Sequence, residues 1–326
     1  MTMMQDISVQ AATQSVFGTG VAGAVLLRGL EAVKLSSSPE VQILDDLCNG
    51  YTGGDTAVVL SVGAKGSFNG WASYEHLPYW LDAVAGKATP TGSGPYVRTW
   101  AAPTTTAPSP RLLSLIKGDT AVGAYRGVGC LPSKFMLKQA NKSALQFSGD
   151  LVANKLEPTT LTGGLTKSAV TPIMGSQVAS IKLDTFAGTM GATALPNCTL
   201  RYLELNIEPV RNIRYCLGSI IGNTYLENPW TGTLKLSLEF NSTSKADVDN
   251  YVAGTLVQKQ VEINYASGTN LAKLQFAGTL TGDIEMFSDD DGVVTVDMEL
   301  VRTYHTTFAN WFKASMTNGV SNVQML

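Results

Sequence analysis

Few residues in this chain have a spacing that could do chemistry. Gly18-Thr19-Gly20-Val21-Ala22-Gly23 matches G-x-G-x-x-G, the loop that lets backbone amides approach a dinucleotide pyrophosphate. That motif works between a buried strand and a helix. Here small polar residues precede it and strand-like sequence follows, so it reads as a flexible glycine arm. Ser288-Asp289-Asp290-Asp291-Gly292 concentrates carboxylates but lacks the alternate ligand spacing and closing glutamate of a calcium loop. Asp-Gly between two alternating segments marks a hairpin turn instead. No G-x-S-x-G elbow occurs, and the only histidines, His76 and His305, sit among Tyr74, Tyr79, Trp80, Tyr304 and Phe308, which suits packed or surface rings. Cys48, Cys130, Cys198 and Cys216 have no C-x-x-C spacing and read as reduced core residues, not zinc ligands. The aromatic run at 71–80 (WASYEHLPYW) has helical spacing, which favours core or subunit interface over a ligand platform. Carboxylate pairs such as Asp297 and Glu299 fall on the polar face of a strand. No enzyme, metal or cofactor is read from this inventory.

At 326 residues the chain is long enough for two domains with cores of their own. A net charge of −3 argues against a basic grip on nucleic acid. No apolar run approaches the roughly 18 residues of a spanning helix, and no basic, then apolar leader opens the chain. The expected compartment is therefore a cytoplasm, with no membrane partner.

Residues 1–24 read as an N-terminal arm, followed by strands at 25–34, 41–47 and 57–62. Leu77, Trp80, Leu81 and Val84 recur at helical spacing, with Pro78 in the first turn and Gly86 as the stop. The second half shows the same order. Leu234, Leu236, Leu238 and Phe240 alternate as a strand, then Ser244 and Asp247 begin a helix carrying Val248, Tyr251 and Val252 that Gly254 ends. A Pro/Thr/Gly-rich segment at 90–110 reads as an extended insertion, 154–175 as a linker, and Phe308, Trp311, Phe312 and Met316 as a short amphipathic C-terminal helix.

The strongest signal is a repeat. Residues 125–153 lie over 274–302 without a gap, since 274 − 125 = 149 and 302 − 153 = 149. Identity is confined to Gly129/Gly278, Leu131/Leu280, Leu151/Leu300 and Val152/Val301, but the alternation matches throughout. Phe135 and Leu137 fall on Ile284 and Met286, and Leu145, Phe147 and Leu151 on Val294, Val296 and Leu300. Each block predicts a hairpin, turning at 140–143 and at 289–292. Two tandem copies of one β domain follow, at 25–153 and 176–303, with 304–326 as a C-terminal segment.

The order of features resembles the major tail tube protein of tailed bacteriophages. The likeness rests on Phe17-Gly18-Thr19, the strand ending at Leu35-Ser36-Ser37-Ser38-Pro39-Glu40-Val41, the helix at 77–86, Gly94-Pro95-Tyr96 with its Thr/Pro run, and Tyr125-Arg126-Gly127-Val128-Gly129-Cys130 leading into the hairpin. It covers about two-thirds of residues 15–155, and the second half joins through the repeat. The resemblance implies a mainly β fold of two β-sandwich or partial-barrel domains, each with a short flanking helix. It also implies a structural virion subunit that polymerises into stacked rings around a DNA channel. A duplicated chain would close a homotrimeric ring. Expected partners are other copies, tail tip, tape measure and tail terminator proteins, and double-stranded DNA passing non-specifically, with assembly in the host cytoplasm and residence in the virion. The polar face of the hairpins, with Asp283, Glu285, Thr295, Asp297, Glu299, Lys134, Gln146, Ser148 and Asp150, is expected to line the lumen. Tyr96, Trp100, Phe308, Trp311 and Phe312 are expected between subunits. The long insertion at 90–110 departs from the pattern. The alternatives are another self-assembling virion protein, such as a capsid decoration protein, a surface adhesin, or a carbohydrate-binding or hydrolytic β-sandwich.

Overall fold

The structure is a computed structural model that describes residues 7–44, 56–196 and 199–321. The first half runs β1 (Ser8–Gln14), β2 (Val25–Leu26), β3 (Leu30–Ser37), β4 (Glu40–Leu44), β5 (Thr56–Ser61), β6 (Ala64–Trp71), α1 (Leu77–Ala85), β7 (Tyr96–Ala101), β8 (Leu112–Asp119), β9 (Gly123–Ala140), β10 (Gln146–Ala153) and β11 (Lys155–Thr159). The second runs β12 (Val178–Thr185), β13 (Leu200–Glu208), β14 (Arg211–Arg214), β15 (Thr224–Glu227), β16 (Thr231–Glu239), α2 (Ser242–Val252), β17 (Gln258–Ser267), β18 (Asn270–Asp290), β19 (Val293–Arg302) and β20 (Phe312–Asn318). The protein is mainly β, with large antiparallel sheets.

One continuous ladder crosses the molecule in the order β12-β17-β18-β19-β16-β13-β9-β10-β6-β3. The second half repeats the strand order of the first. In the first half β10 lies between β9 and β6, and β6 between β10 and β3. In the second, β19 lies between β18 and β16, and β16 between β19 and β13. The registers of β10 on β6 and β6 on β3 keep constant offsets to those of β19 on β16 and β16 on β13. Strand β18 adds irregular steps at Thr281/Glu285 and Met286/Ser288 that β9 lacks. Gln146 faces Trp71 and Thr295 faces Glu239, where 295 − 146 = 149 and 239 − 71 = 168. Ala32 faces Asn69 and Tyr202 faces Ser237, where 202 − 32 = 170 and 237 − 69 = 168. Even the bulges coincide, at Leu30/Ala32 and at Leu200/Tyr202.

Alternation explains which face is buried. Phe135, Leu137, Phe147 and Leu151 in the first half, and Leu234, Leu236, Leu238, Val296 and Leu300 in the second, are all buried. They belong to one contiguous apolar cluster that spans both halves, so the two sequence domains share a core. Within it Trp80 of α1 stacks on Phe68 of β6, with ring centroids 3.9 Å apart. The hairpin turns form where Asp-Gly chemistry places them: Asp291 (φ 55°) and Gly292 (φ 77°) adopt the left-handed conformation, and the Gly292 amide donates to Asp289 Oδ1 at 2.8 Å.

Several sequence expectations are corrected. The arm is partly a strand: β1 pairs along β8 from Ser8/Gly118 to Gln14/Leu112. The expected strand at 25–34 is broken at Gly29 (φ 79°), where a Cβ would meet the Trp71 carbonyl at 2.6 Å. The linker begins as β11, which pairs with β9. The C-terminal helix is instead strand β20, because Phe312, Ala314, Met316 and Asn318 point inward at period two and a partner is present. That partner is β7, supplied by the insertion, so Trp100 faces Ala314 across the ladder. Helix α2 starts earlier than expected. Asn241 is its N-cap, accepting from the Thr243 and Ser244 amides, and Ser244 Oγ accepts from the Asn241 amide in return. Cys130 is buried, whereas Cys216 is exposed; Cys48, Cys198 and residues 45–47 of the second expected strand lie outside the described residues.

A buried cation ties the halves together. Arg211 of β14 donates to the Ala83 and Val84 carbonyls at the C-terminal end of α1, at 2.8 and 2.5 Å, and to the Pro132 carbonyl at 3.1 Å. Its charge is balanced by Glu227, 3.2 Å away. The last carbonyls of a helix lack partners and carry partial negative charge, so a guanidinium there satisfies both. Truncating Arg211 strands a buried Glu227. Arg211→Ala is therefore expected to lower the unfolding free energy by about 3–5 kcal/mol, measured by urea denaturation; a loss below about 1 kcal/mol would mean the pair behaves like a surface ion pair.

Candidate functional site

The face of the sheet opposite the core is charged, and the strand registers set its rows. Asp150 lies opposite Lys134, Ser148 opposite Met136, and Gln146 opposite Lys138. In the second half Asp297 lies opposite Glu285 on one side and Ser237 on the other. Lys235 faces both Glu299 and Glu204, and its ammonium is 3.5 Å from Glu299. Asp283, Glu285, Asp297 and Glu299 line one shallow concavity with Tyr202, Lys235 and Ser237. Eight of the nine residues singled out in the sequence for this face are exposed or half-buried on it. Thr295 differs: it is buried, and its Oγ1 donates to the Ser288 carbonyl at 3.3 Å beneath the irregular Met286/Ser288 step.

The halves join on this face. Distal β9 pairs with β13, from Phe135/Ile207 to Ala140/Tyr202. Lys134 is 3.5 Å from Glu208, and the Lys138 ammonium lies 5.4 Å from the centre of the Tyr202 ring. The Tyr202 hydroxyl donates to Glu204, and burial, with that carboxylate beside it, pushes the phenol above its ordinary pKa. Glu208 is held below the usual carboxylate range by the Asn206 amide, helped by Lys134. Sequence reasoning found Lys134 but not Glu204 or Glu208, because β13 lies outside the repeated hairpin.

Two edges at equivalent places stay open among the described residues. Distal β18, beyond the residues that meet β17 and β20, pairs only with β19. Strand β3 pairs only with β6. Lys117 reaches from β8 and donates to the Val33 carbonyl of β3 at 2.6 Å. An inward-pointing lysine at a sheet margin is a known guard against indiscriminate strand pairing.

The remaining candidates serve packing. Trp100, Trp311 and Phe312, expected between subunits, are instead buried within the chain where β7 and β20 pair. Tyr96 and Phe308 are half-buried, the latter beneath the Lys313 ammonium at 4.5 Å. His76 Nδ1 accepts the Arg28 amide at 3.0 Å, and burial holds the ring below its ordinary pKa. His305 Nδ1 accepts the Phe308 amide, with Nε2 2.6 Å from the Phe186 carbonyl. Gly18–Gly23 forms a loop between β1 and β2 with no helix after it; Gly20 and Gly23 admit the Arg126 and Gln10 side chains. No helix among the described residues is long and apolar enough to cross a membrane.

A sheet-built chain with a charged face and open edges belongs to the class of structural β-proteins. The comparison with known families is specific: a family model described as phage tail tube protein matches residues 4–314, and the chain belongs to that family. No curated protein matches the chain. Family membership makes it a structural protein of the phage tail.

The lowered pKa of Glu208 has a pH consequence. A carboxylate more acidic in the folded state stabilises above its unfolded pKa and loses that contribution as pH falls through the folded value. The stability difference between the native chain and Glu208→Gln is expected to be constant above about pH 5 and to shrink below it. Unfolding curves across pH check this; a difference that grows in acid contradicts it.

Proposed function

We propose that the chain is two copies of one β module, and that three chains close a ring whose stacking builds the DNA-conducting tail tube. The observation that carries this reading is the internal junction. Strand β13, the outer strand of module two, completes the edge of distal β9 in module one. The equivalent elements, β3 and distal β18, each keep one edge without a partner among the described residues. Transferring the register by the offsets 170 and 149 turns Asn206/Met136 into Ser36/Glu285 and Leu205/Leu137 into Leu35/Met286. A second chain supplies that pairing, and repeating the step three times makes six similar junctions in a closed, heterologous ring.

The hairpins beside the edges support the same arrangement. β14–β15 follows β13 and is pinned on α1 through Arg211. β4–β5 follows β3 at the equivalent place, yet Val41, Ile43, Val59 and Leu60 are exposed. On a neighbour they would meet the end of α2, where Val252 and Leu256 are also exposed.

The charged face then lines the lumen. Duplex DNA carries about one negative charge per 1.7 Å, so the carboxylates of module two favour passage over adhesion, screened by salt to a short range. Tail tip, tape measure and tail terminator proteins would cap and gauge the tube. Assembly would occur in the host cytoplasm before residence in the virion. Family membership favours this reading over a capsid decoration protein or a carbohydrate-binding sandwich. Purified full-length chain is expected to form rings and tubes by negative-stain microscopy, with isolated rings weighing three chains. Rings of six full-length chains, or a chain that stays monomeric at high concentration, would contradict the proposal.

A further inference from the structure

We infer that the junction between chains is selected by charge, with the polarity of the internal junction reversed, so that module one of a chain accepts only module two of another. This rests on the ring reading above. Inside the chain the carboxylates are on the outer strand and the ammoniums on the hairpin. Glu204 is opposite Lys138, and Glu208 is 3.5 Å from Lys134. At the other junction the outer strand changes sign and the hairpin strand turns acidic. Lys34 stands where Glu204 does (204 − 34 = 170), and Glu285 stands where Met136 does, facing Asp297 as Met136 faces Ser148. Asp283 adds a carboxylate in the irregular stretch between Thr281 and Glu285, while the places of Lys138 and Glu208 hold the uncharged Ser288 and Ser38. In the transferred register Ser36 is opposite Glu285. Lys34, two residues away on the same face, is then diagonal to Glu285, a separation that long side chains span.

The hairpin tips follow the same code. Lys142 and Asp291 occupy equivalent places (291 − 142 = 149), carry opposite charges, and meet at 3.2 Å within the chain. Charges on exposed strands are ordinary in themselves.

The consequence is a rule for pairing. In the same register β3 against distal β9 would oppose Lys34 to Lys138, and β13 against distal β18 would set Glu204 and Glu208 diagonal to Glu285. Like charges across neighbouring strands destabilise a sheet. Only β13 with β9, and β3 with β18, bring unlike charges together. Modules must therefore alternate around the ring, and an incoming chain cannot displace the internal junction of another.

Lys34, Asp283 and Glu285 are exposed in the single chain, so changing them tests assembly and not folding. Lys34→Glu alone, and Asp283→Lys with Glu285→Lys, are each expected to raise the protein concentration needed for tube formation about tenfold in low salt. The gap should narrow in high salt. Combining all three substitutions should restore assembly, read by sedimentation and microscopy, with thermal unfolding of each variant as the check on folding. Rings that form equally in every variant overturn the charge code alone. A native chain that forms no ring overturns the ring reading and this inference with it.

Discussion

A β-sheet has two edges, and each edge presents backbone donors and acceptors that must find a partner or be guarded. In this chain that constraint acts three times. It joins the two halves where β13 completes distal β9, it recruits β7 and β20 to finish the flank of β18, and it leaves one edge each of β3 and distal β18 open among the described residues. The apolar core, the buried Arg211 and the charged face are all arranged around strands whose places the ladder decides.

The division of labour within the molecule follows from this. The buried side holds the halves as one body through a shared apolar cluster. Arg211 locks the second hairpin to the first helix at a point where an unpaired helix end needs a donor. The opposite side is free to vary in charge because most of its side chains stay exposed or half-buried. It does vary, from lysines on β9 to carboxylates on β18 and β19. On the proposed duplication, variation at equivalent places would let the two halves meet as complementary partners.

The parts of this arrangement legible in the sequence were those with local periodicity. The hairpins over 125–153 and 274–302 alternate over most of their length, and the helix at 77–85 carries its apolar stripe, a first-turn Pro78 and the stop at Gly86. What could not be read was whatever depended on a distant partner. Phe308, Trp311, Phe312 and Met316 satisfy helical spacing, yet Phe312, Ala314 and Met316 also satisfy period two, and only the presence of β7 chooses the strand. Trp100, Trp311 and Phe312 looked like contact residues because the insertion and the C-terminal segment each read as ill suited to pack on their own domain; the pairing of β20 with β7 buries them. Arg211 carries no local signal, since its partners on α1 are more than a hundred residues away. On the charged face, the hairpin residues were visible through the repeat, whereas Glu204, Glu208 and Lys34 lie on strands whose likeness appears only in the register.

The junction between chains is the point on which the account turns, and its register makes it directly measurable. Antiparallel partners place their Cα atoms about 4.5–5.5 Å apart, within disulfide reach. Ser36→Cys with Glu285→Cys, in a chain whose exposed Cys216 is replaced by Ser, should cross-link on oxidation of assembled material. Denaturing electrophoresis is predicted to show a ladder of covalent species that ends at three chains. Monomer alone from well-formed tubes, or a ladder running past three, would contradict the account.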